Sequence, residues 1–201
     1  MGNDGMMDRP PEWIDVSDIC VVLRRHRTDD IDAFHAIIEA SRDHLRPYMP
    51  WADQTRDDTA AFIGRTAEMW HAGSDFSYLV TRPYDIGSDE IEQLLGGCGL
   101  HARLGPGALE IGYWLRHDAT GGGVMTAVAR RLTAVAFALT DIDRVEIHCD
   151  QSNGRSAAIP QRLGYTLDRL VDQPIAAAGE QGRSMVWVTH RSPIPPAPPT
   201  P

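Results

Sequence analysis

No apolar run in this 201-residue chain approaches the roughly 18 residues of a membrane-spanning helix. Its start, MGNDGMMDRPPEW, has neither the basic stretch nor the apolar core of a signal peptide. Those absences predict a cytoplasmic protein with no membrane partner. Cysteine is scarce: Cys20, Cys98 and Cys149 are odd in number, widely spaced and match no metal-ligand or redox spacing. No metal is therefore implied, and the three read as small core residues in a reducing compartment. Basic residues are outnumbered, 19 Lys and Arg against 28 Asp and Glu, for a formal net charge of −9. That balance argues against a nucleic-acid partner and suits a cationic one such as an amine.

What remains is the composition of one soluble domain, 42% hydrophobic and 23% charged, at a length that can bury a proper core. Residues 1–12 are polar and broken by glycine and proline, and 192–201 are proline-dominated. Both are expected to be disordered, which leaves 13–191 as a single domain. Inside it, strand and helix patterns alternate without internal repeats. DICVVLRRH (18–26) is β-branched and reads as a strand. TDDIDAFHAIIEASRDHL places Ile31, Phe34, Ile38 and Leu45 at helical spacing behind an N-cap-like Thr28 and two acids, and reads as one helix to about Arg46, before Pro47. RPYMPWAD is an aromatic, proline-broken loop. TRDDTAAFIGRTAEMWHAG is a second helix with Phe62, Thr66, Met69 and Trp70 on one side and Gly73 as its C-cap. DFSYLVTRP and LLGGCGLHARL are two strands joined by an acidic loop, and ALEIGYWL is a third in the same meander.

The stretch ATGGGVMTAVARR (119–131) then puts three glycines where a helix begins. Each would cost roughly 1 kcal/mol relative to alanine if helical. The helix after them carries Val124, Val128, Leu132, Val135 and Leu139 in steps of 4, 4, 3 and 4, with no acidic residue between Ala119 and Leu139. Residues without Cβ let a backbone approach a ligand closely, and free N–H groups at a helix N-terminus make an anion site, most often for phosphate. A flexible strand-to-helix turn is the plainer reading of the same residues. A P-loop is excluded because Val124 and Met125 follow Gly123 where Lys and Ser or Thr are needed, and a dinucleotide fingerprint fails at Thr126.

Downstream, DRVEIHC alternates as a strand and runs into DQSNGRSAAIPQRLGYTLD. With these residues in view, the chain resembles the GNAT superfamily of acetyl-CoA-dependent N-acetyltransferases, in its RimJ/RimL-like branch, over about residues 18–190. LEIGYWL looks like that branch's strand 4, TGGGVMT like its pyrophosphate loop and helix 3, and RVEIHCDQSNGRSAAIPQRLGY like its strand 5 and helix 4. SRDHLRPYMPWAD is similar to its substrate-side segment. The resemblance implies an α/β fold with a mixed, mostly antiparallel sheet, strands 4 and 5 splayed apart, and about four flanking helices. It also implies acetyl-CoA as co-substrate and, as acceptor, a protein N-terminal amine or a small amine. A homodimer is an expectation at the family level.

Residue by residue, the resemblance implies that Thr120, Gly121, Gly122, Gly123, Val124, Met125 and Thr126 hold the CoA pyrophosphate. Of the superfamily's loop signature only Gly123 is kept, while Thr120 and Met125 depart from it. Backbone groups around Tyr113, Trp114 and Leu115 would meet the pantetheine amides. Asn153 resembles the asparagine that bonds the pantetheine arm, and Ser156 the serine beside the CoA sulfur. Acetyl transfer needs a neutral amine and a proton for the departing thiolate. Glu110 matches a glutamate often found on strand 4 and is the candidate base, directly or through water, with Ser156 as candidate acid. Tyr48 and Trp51, with Glu110, would shape the acceptor side. Plainer readings stand beside these: a solvent-facing Glu110, a helix-capping Asn153, a structural loop at Tyr48 and Trp51. His101 and His148 are rival bases. Pro160 occupies the place where other members carry an acidic tyrosine, and since it cannot donate to the Ser156 carbonyl the helix should bend or leave that carbonyl free. A CoA-binding module without transferase activity is the alternative function.

Overall fold

The computed structural model describes residues 8–83 and 92–192. The two terminal segments expected to be disordered fall largely outside them, as does the acidic loop at 84–91. Residues 8–12, read from sequence as part of the N-terminal segment, carry contacts: Arg9 donates to the His71 carbonyl at 2.7 Å and the Pro11 carbonyl accepts from the Tyr78 hydroxyl at 2.8 Å.

Among the described residues, eight strands form one sheet in the order β1-β2-β3-β4-β5-β6-β8-β7. They are β1 (Trp13–Val16), β2 (Val21–Arg25), β3 (Asp75–Pro83), β4 (Glu92–His101), β5 (Ala108–Leu115), β6 (Arg144–Asp150), β7 (Thr166–Asp172) and β8 (Arg183–His190). Every pairing is antiparallel except β5 with β6. That parallel pair is short, running from Ala108↔Arg144 to Glu110↔Glu146. Beyond it β5 stays with β4 as far as Leu115↔Gly96, while β6 stays with β8 as far as Asp150↔Ser184. Each strand follows its outer neighbour, and a cleft opens between them. The mixed sheet with its two parted central strands is the arrangement the sequence led us to expect.

Helix α4 (Val124–Ala138) lies on one face of the sheet. Val124, Val128, Leu132, Val135 and Leu139, the five residues spaced for that purpose, are all buried and join Leu109, Ile111, Val145 and Ile147 in one core. Helices α1 (Ile31–Ala40), α2 (Arg42–Leu45) and α3 (Arg56–Ala72) build a second core around Phe34, Ile38, Leu45, Ala52, Ile63 and Leu79. A capping box starts α3: Thr55 Oγ1 accepts from the Asp58 N–H at 3.1 Å, and Asp58 accepts from the Thr55 N–H at 2.9 Å. Gly73, at φ 69°, ends it.

Several expectations need correction. The single helix to Arg46 breaks at Ser41 into α1 and the one-turn α2, because the buried Ser41 hydroxyl accepts the His117 N–H at 3.1 Å and ties this corner to the end of β5. The break raises the number of α-helices among the described residues to five, with α5 at Gly154–Arg162. Thr28 does not cap α1. Asp30 holds the N-cap position without a side-chain bond to the helix, its carboxylate instead accepting the Arg27 N–H of the preceding turn at 2.6 Å and being clamped by Arg24. The first strand of the sheet is Trp13–Val16, turned into β2 through Cys20 at φ 52°. Cys20 is therefore exposed at a left-handed turn rather than in the core, whereas Cys98 is buried.

Candidate active site

A cavity of about 700 Å³ opens where β5 and β6 part. Tyr48, Trp51, Glu110, Tyr113, Trp114, Asn153 and Ser156 all line it. Leu115 is buried in the core instead, and Thr120 to Thr126 lie apart, at the start of α4.

One row of titratable side chains crosses the sheet at the cleft. Asp75 pairs with His101, His101 with Glu110, and Glu110 with Glu146. Residues directly opposite one another in a sheet share a face, so four strands deliver four such groups to one side. His101 Nδ1 lies 2.5 Å from Asp75 Oδ2. Glu110, 6% exposed, takes both branches of the Arg103 guanidinium, with Nε to Oε2 at 2.7 Å. His148 Nδ1 is 3.8 Å from Glu110 Oε2, and its Nε2 is 2.6 Å from Oε2 of the fully buried Glu146. Arg144 and Arg169 approach Glu146 at 3.1 and 3.6 Å. Burial pushes the Glu110 carboxyl up, but the Arg103 hydrogen bonds with the charges of His148, Arg103 and His101 outweigh it and hold the carboxyl below its ordinary value. Glu110 is thus an ionised, weakly basic carboxylate at neutral pH.

The opposite wall is the start of α5. Asp150, at the end of β6, accepts from the Ser152, Gln181 and Gly182 N–H groups at 2.9 to 3.1 Å and so shapes the turn that aims this helix at the cleft. Asn153 is its N-cap, with Oδ1 accepting the Ser156 N–H at 3.1 Å. The capping role read from sequence is present, and it commits only the oxygen of that amide. The Ser156 carbonyl, which Pro160 cannot serve, accepts the Tyr113 hydroxyl at 3.2 Å, and Ser156 Oγ lies 3.3 Å from the same hydroxyl. Desolvation raises the Tyr113 pKa. The sequence marked Tyr113 only as a source of backbone contacts, and this bond was not foreseen. The signal lay in Pro160, which marked a carbonyl in need of a donor.

At the glycine loop, Gly121 and Gly123 have φ of 85° and 77°, and a Cβ built on Gly121, Gly122 or Gly123 would meet nothing within 4 Å. No side chain caps α4, and its first turn has no acidic residue. Val124 and Met125 turn into the core. Any ligand there would meet open backbone N–H groups, the donors that suit a phosphate. Arg116, near in sequence, is engaged by Asp118 at 2.5 and 2.8 Å.

On the acceptor side, the Tyr48 hydroxyl donates to the Ser152 carbonyl at 3.1 Å, and the Trp51 ring stands edge-on to Trp114 at 5.3 Å. Among the described residues, no group of three or more His, Cys, Asp or Glu could hold a metal, and no helix is long and apolar enough to cross a membrane.

A family model described as "Acetyltransferase (GNAT) domain" matches residues 21–166. A stretch of 56 residues is 39% identical to "Putative ribosomal N-acetyltransferase YdaF" of Bacillus subtilis (strain 168), covering 28% of this chain and 31% of that relative. The match thus spans about a third of the curated relative's length. Among solved structures, RimL, a ribosomal L7/L12 alpha-N-protein acetyltransferase in complex with coenzyme A, superposes with a TM-score of 0.75 at 23% identity, over 89% of this chain and 98% of its own. The microcin C7 self-immunity acetyltransferase MccE, in complex with acetyl-CoA and AMP, gives 0.77 at 18% identity, over 90% and 97%. At such identities these two likenesses establish the fold.

Proposed function

The chain belongs to the acetyltransferase family of the GNAT domain, and we propose that it is an acetyl-CoA-dependent N-acetyltransferase acting on a primary amine. In that reaction the amine nitrogen attacks the thioester carbonyl, the C–N bond forms as the C–S bond breaks, the nitrogen loses a proton, and CoA leaves as the thiol. The observation that carries this reading is the parting of β5 and β6 beside the ionised Glu110, with the row of titratable side chains on one side and the Tyr113–Ser156 pair on the other. The open, uncapped start of α4 suits the CoA pyrophosphate.

Glu110 is the group we assign to hold the incoming amine and guide its proton away through water. Direct transfer from an α-amine of pKa about 8 to a carboxylate held below its ordinary value by Arg103 is uphill. His148, set between Glu110 and Glu146, gives a second reading of the base, since an imidazole held by two carboxylates is placed to pass a proton along them. Ser156 supplies the proton for the thiolate, with Tyr113 behind it. Asn153 has its NH2 group for the pantetheine arm. The acceptor is a protein N-terminus, as in the name of RimL, or a small amine. Exposed Leu167, Leu170 and Val171 on the edge strand β7 support a homodimer.

Thermal unfolding with acetyl-CoA, CoA and NAD in parallel tests the donor. A ligand at 100 times its Kd adds about 2.7 kcal/mol, worth several degrees in a domain of this size. Stabilisation by both CoA species and not by NAD is expected. If acetyl-CoA stabilises but no amine is acetylated, and Glu110→Gln and Ser156→Ala change nothing apart from stability, the binding-module alternative takes over.

A further inference from the structure

On the sheet face that carries Glu110, β4 presents Gly97, Gly99 and His101, and β5 presents Trp114, Gly112 and Glu110 directly opposite them. Three of those six positions have no side chain, and the space is used in a specific way. A Cβ on Gly97 would stand 2.8 Å from the Trp114 indole nitrogen, and one on Gly112 would stand 2.7 Å from His101 Nε2. The indole and the imidazole therefore lie down against the strands, and the cavity has a flat floor. Its further wall is also made of rings. Phe34 is 5.5 Å from Trp114, 5.1 Å from His26 and 6.3 Å from Phe62, which it stacks, and Trp51 closes on Trp114 at 5.3 Å. All of these rings line the same cavity as Glu110. Burial lowers the His26 pKa to about 4, so its ring joins this wall as a neutral plane.

We propose that the acceptor half of the cavity is built for a primary amine carrying a flat aromatic group one or two bonds from the amine-bearing carbon, an inference that rests on the transferase reading above. Rings on the floor and far wall favour an inserted ring through offset and edge contacts, and the carboxylate row meets the amine. The spacing fits: Glu110 is two residues along β5 from Gly112, roughly 7 Å, so a short arm joins the slot to the carboxylate. A saturated ring of the same carbon count is thicker and lacks the quadrupole that aromatic pairs exploit. The same chemistry has two sources, a free aralkylamine or a polypeptide whose first residue is Phe, Tyr or Trp.

The test compares phenethylamine with 2-cyclohexylethylamine, and a peptide beginning with Phe with the same peptide beginning with Ser. Thiol release gives KM, and quenching of Trp51 and Trp114 fluorescence in the presence of CoA gives binding without turnover. Aromatic contacts beyond area burial are worth about 0.5–1.5 kcal/mol, so a roughly 2- to 10-fold lower KM for phenethylamine is expected. Gly112→Ala, which must lift His101 off the strand, and Trp51→Leu, in a loop, should both erase that ratio. Preference for the Phe peptide over phenethylamine would assign the slot to a polypeptide N-terminus, and the reverse to a free amine. Turnover with equal KM for the aromatic and saturated amines overturns the inference and leaves the transferase reading standing. Selective quenching by phenethylamine with no thiol release from any amine keeps the slot and overturns the transferase reading. Neither quenching nor turnover overturns both.

Discussion

Alanine substitutions at the three consecutive glycines should have unequal effects, because their backbones differ. Gly121 and Gly123 sit at φ of 85° and 77°, while Gly122 is not among the positive-φ residues. A Cβ in the left-handed region costs about 1–2 kcal/mol, and none of the three would meet a neighbour within 4 Å, so the backbone alone sets the penalty. For a domain of this size each kcal/mol is worth about 2–4 °C. Gly121→Ala and Gly123→Ala are therefore expected to lower Tm by about 2–8 °C without ligand, and Gly122→Ala to stay within about 0.5 kcal/mol of the parent. Binding should follow another order. If the pyrophosphate lies on this backbone, a Cβ at Gly122 keeps it from an N–H group, and losing one hydrogen bond to a charged group costs about 1.5–3 kcal/mol, or roughly 10- to 100-fold in Kd. Differential scanning fluorimetry and calorimetric titration with acetyl-CoA read the two effects separately. Equal losses of Tm at all three positions would refute the conformational argument, and a Gly122→Ala protein that binds acetyl-CoA like the parent would remove the pyrophosphate from this loop.

Three further outcomes are expected. His26 has its pKa lowered from 6.5 to about 4 by burial. Between those values the unfolded chain takes a proton that the folded chain refuses, so the contribution is complete above pH 6.5 and is lost as pH falls toward 4. The loss amounts to about 3 kcal/mol, and urea unfolding at pH 7 and pH 4.5 should show a smaller difference for His26→Asn than for the parent; equal differences contradict it. Tyr113→Phe removes the donor to the Ser156 carbonyl and should cost about 1–3 kcal/mol of stability while lowering kcat more than it raises KM; an unchanged kcat would remove Tyr113 from the acid pair. Finally, all 19 basic residues are Arg and none is Lys, so prolonged incubation with acetyl-CoA at high pH should add at most one amine-linked acetyl group, at the chain's own N-terminus. An intact mass carrying two or more hydroxylamine-resistant acetyl groups would contradict this.

The strands of the meander and helix α4 were legible because each is specified by its own residues: alternation in ALEIGYWL, and steps of 4, 4, 3 and 4 from Val124 to Leu139. The break at Ser41 was not, since its cause is a hydrogen bond to His117, far along the chain. The same limit governs the site. Glu110, Asn153 and Ser156 could be singled out one at a time, but the row from Asp75 through His101 to Glu146 exists only once three strand registers are set. Gly97, Gly99 and Gly112 are visible as letters, and their use as a floor depends on which residue stands opposite each. Pro160 announced a free carbonyl, but the residue that satisfies it, Tyr113, lies 43 positions earlier on another element.

The most direct measurement is a continuous thiol-release assay with acetyl-CoA and a panel of primary amines, followed by mass spectrometry of the acceptor. The account requires amine-dependent release of CoA, one acetyl group on the acceptor nitrogen, and a fall of at least roughly 100-fold in kcat/KM for Glu110→Gln, in the range of general acid–base contributions. Thiol release at the same slow rate with and without amine, unchanged by Glu110→Gln, would contradict it.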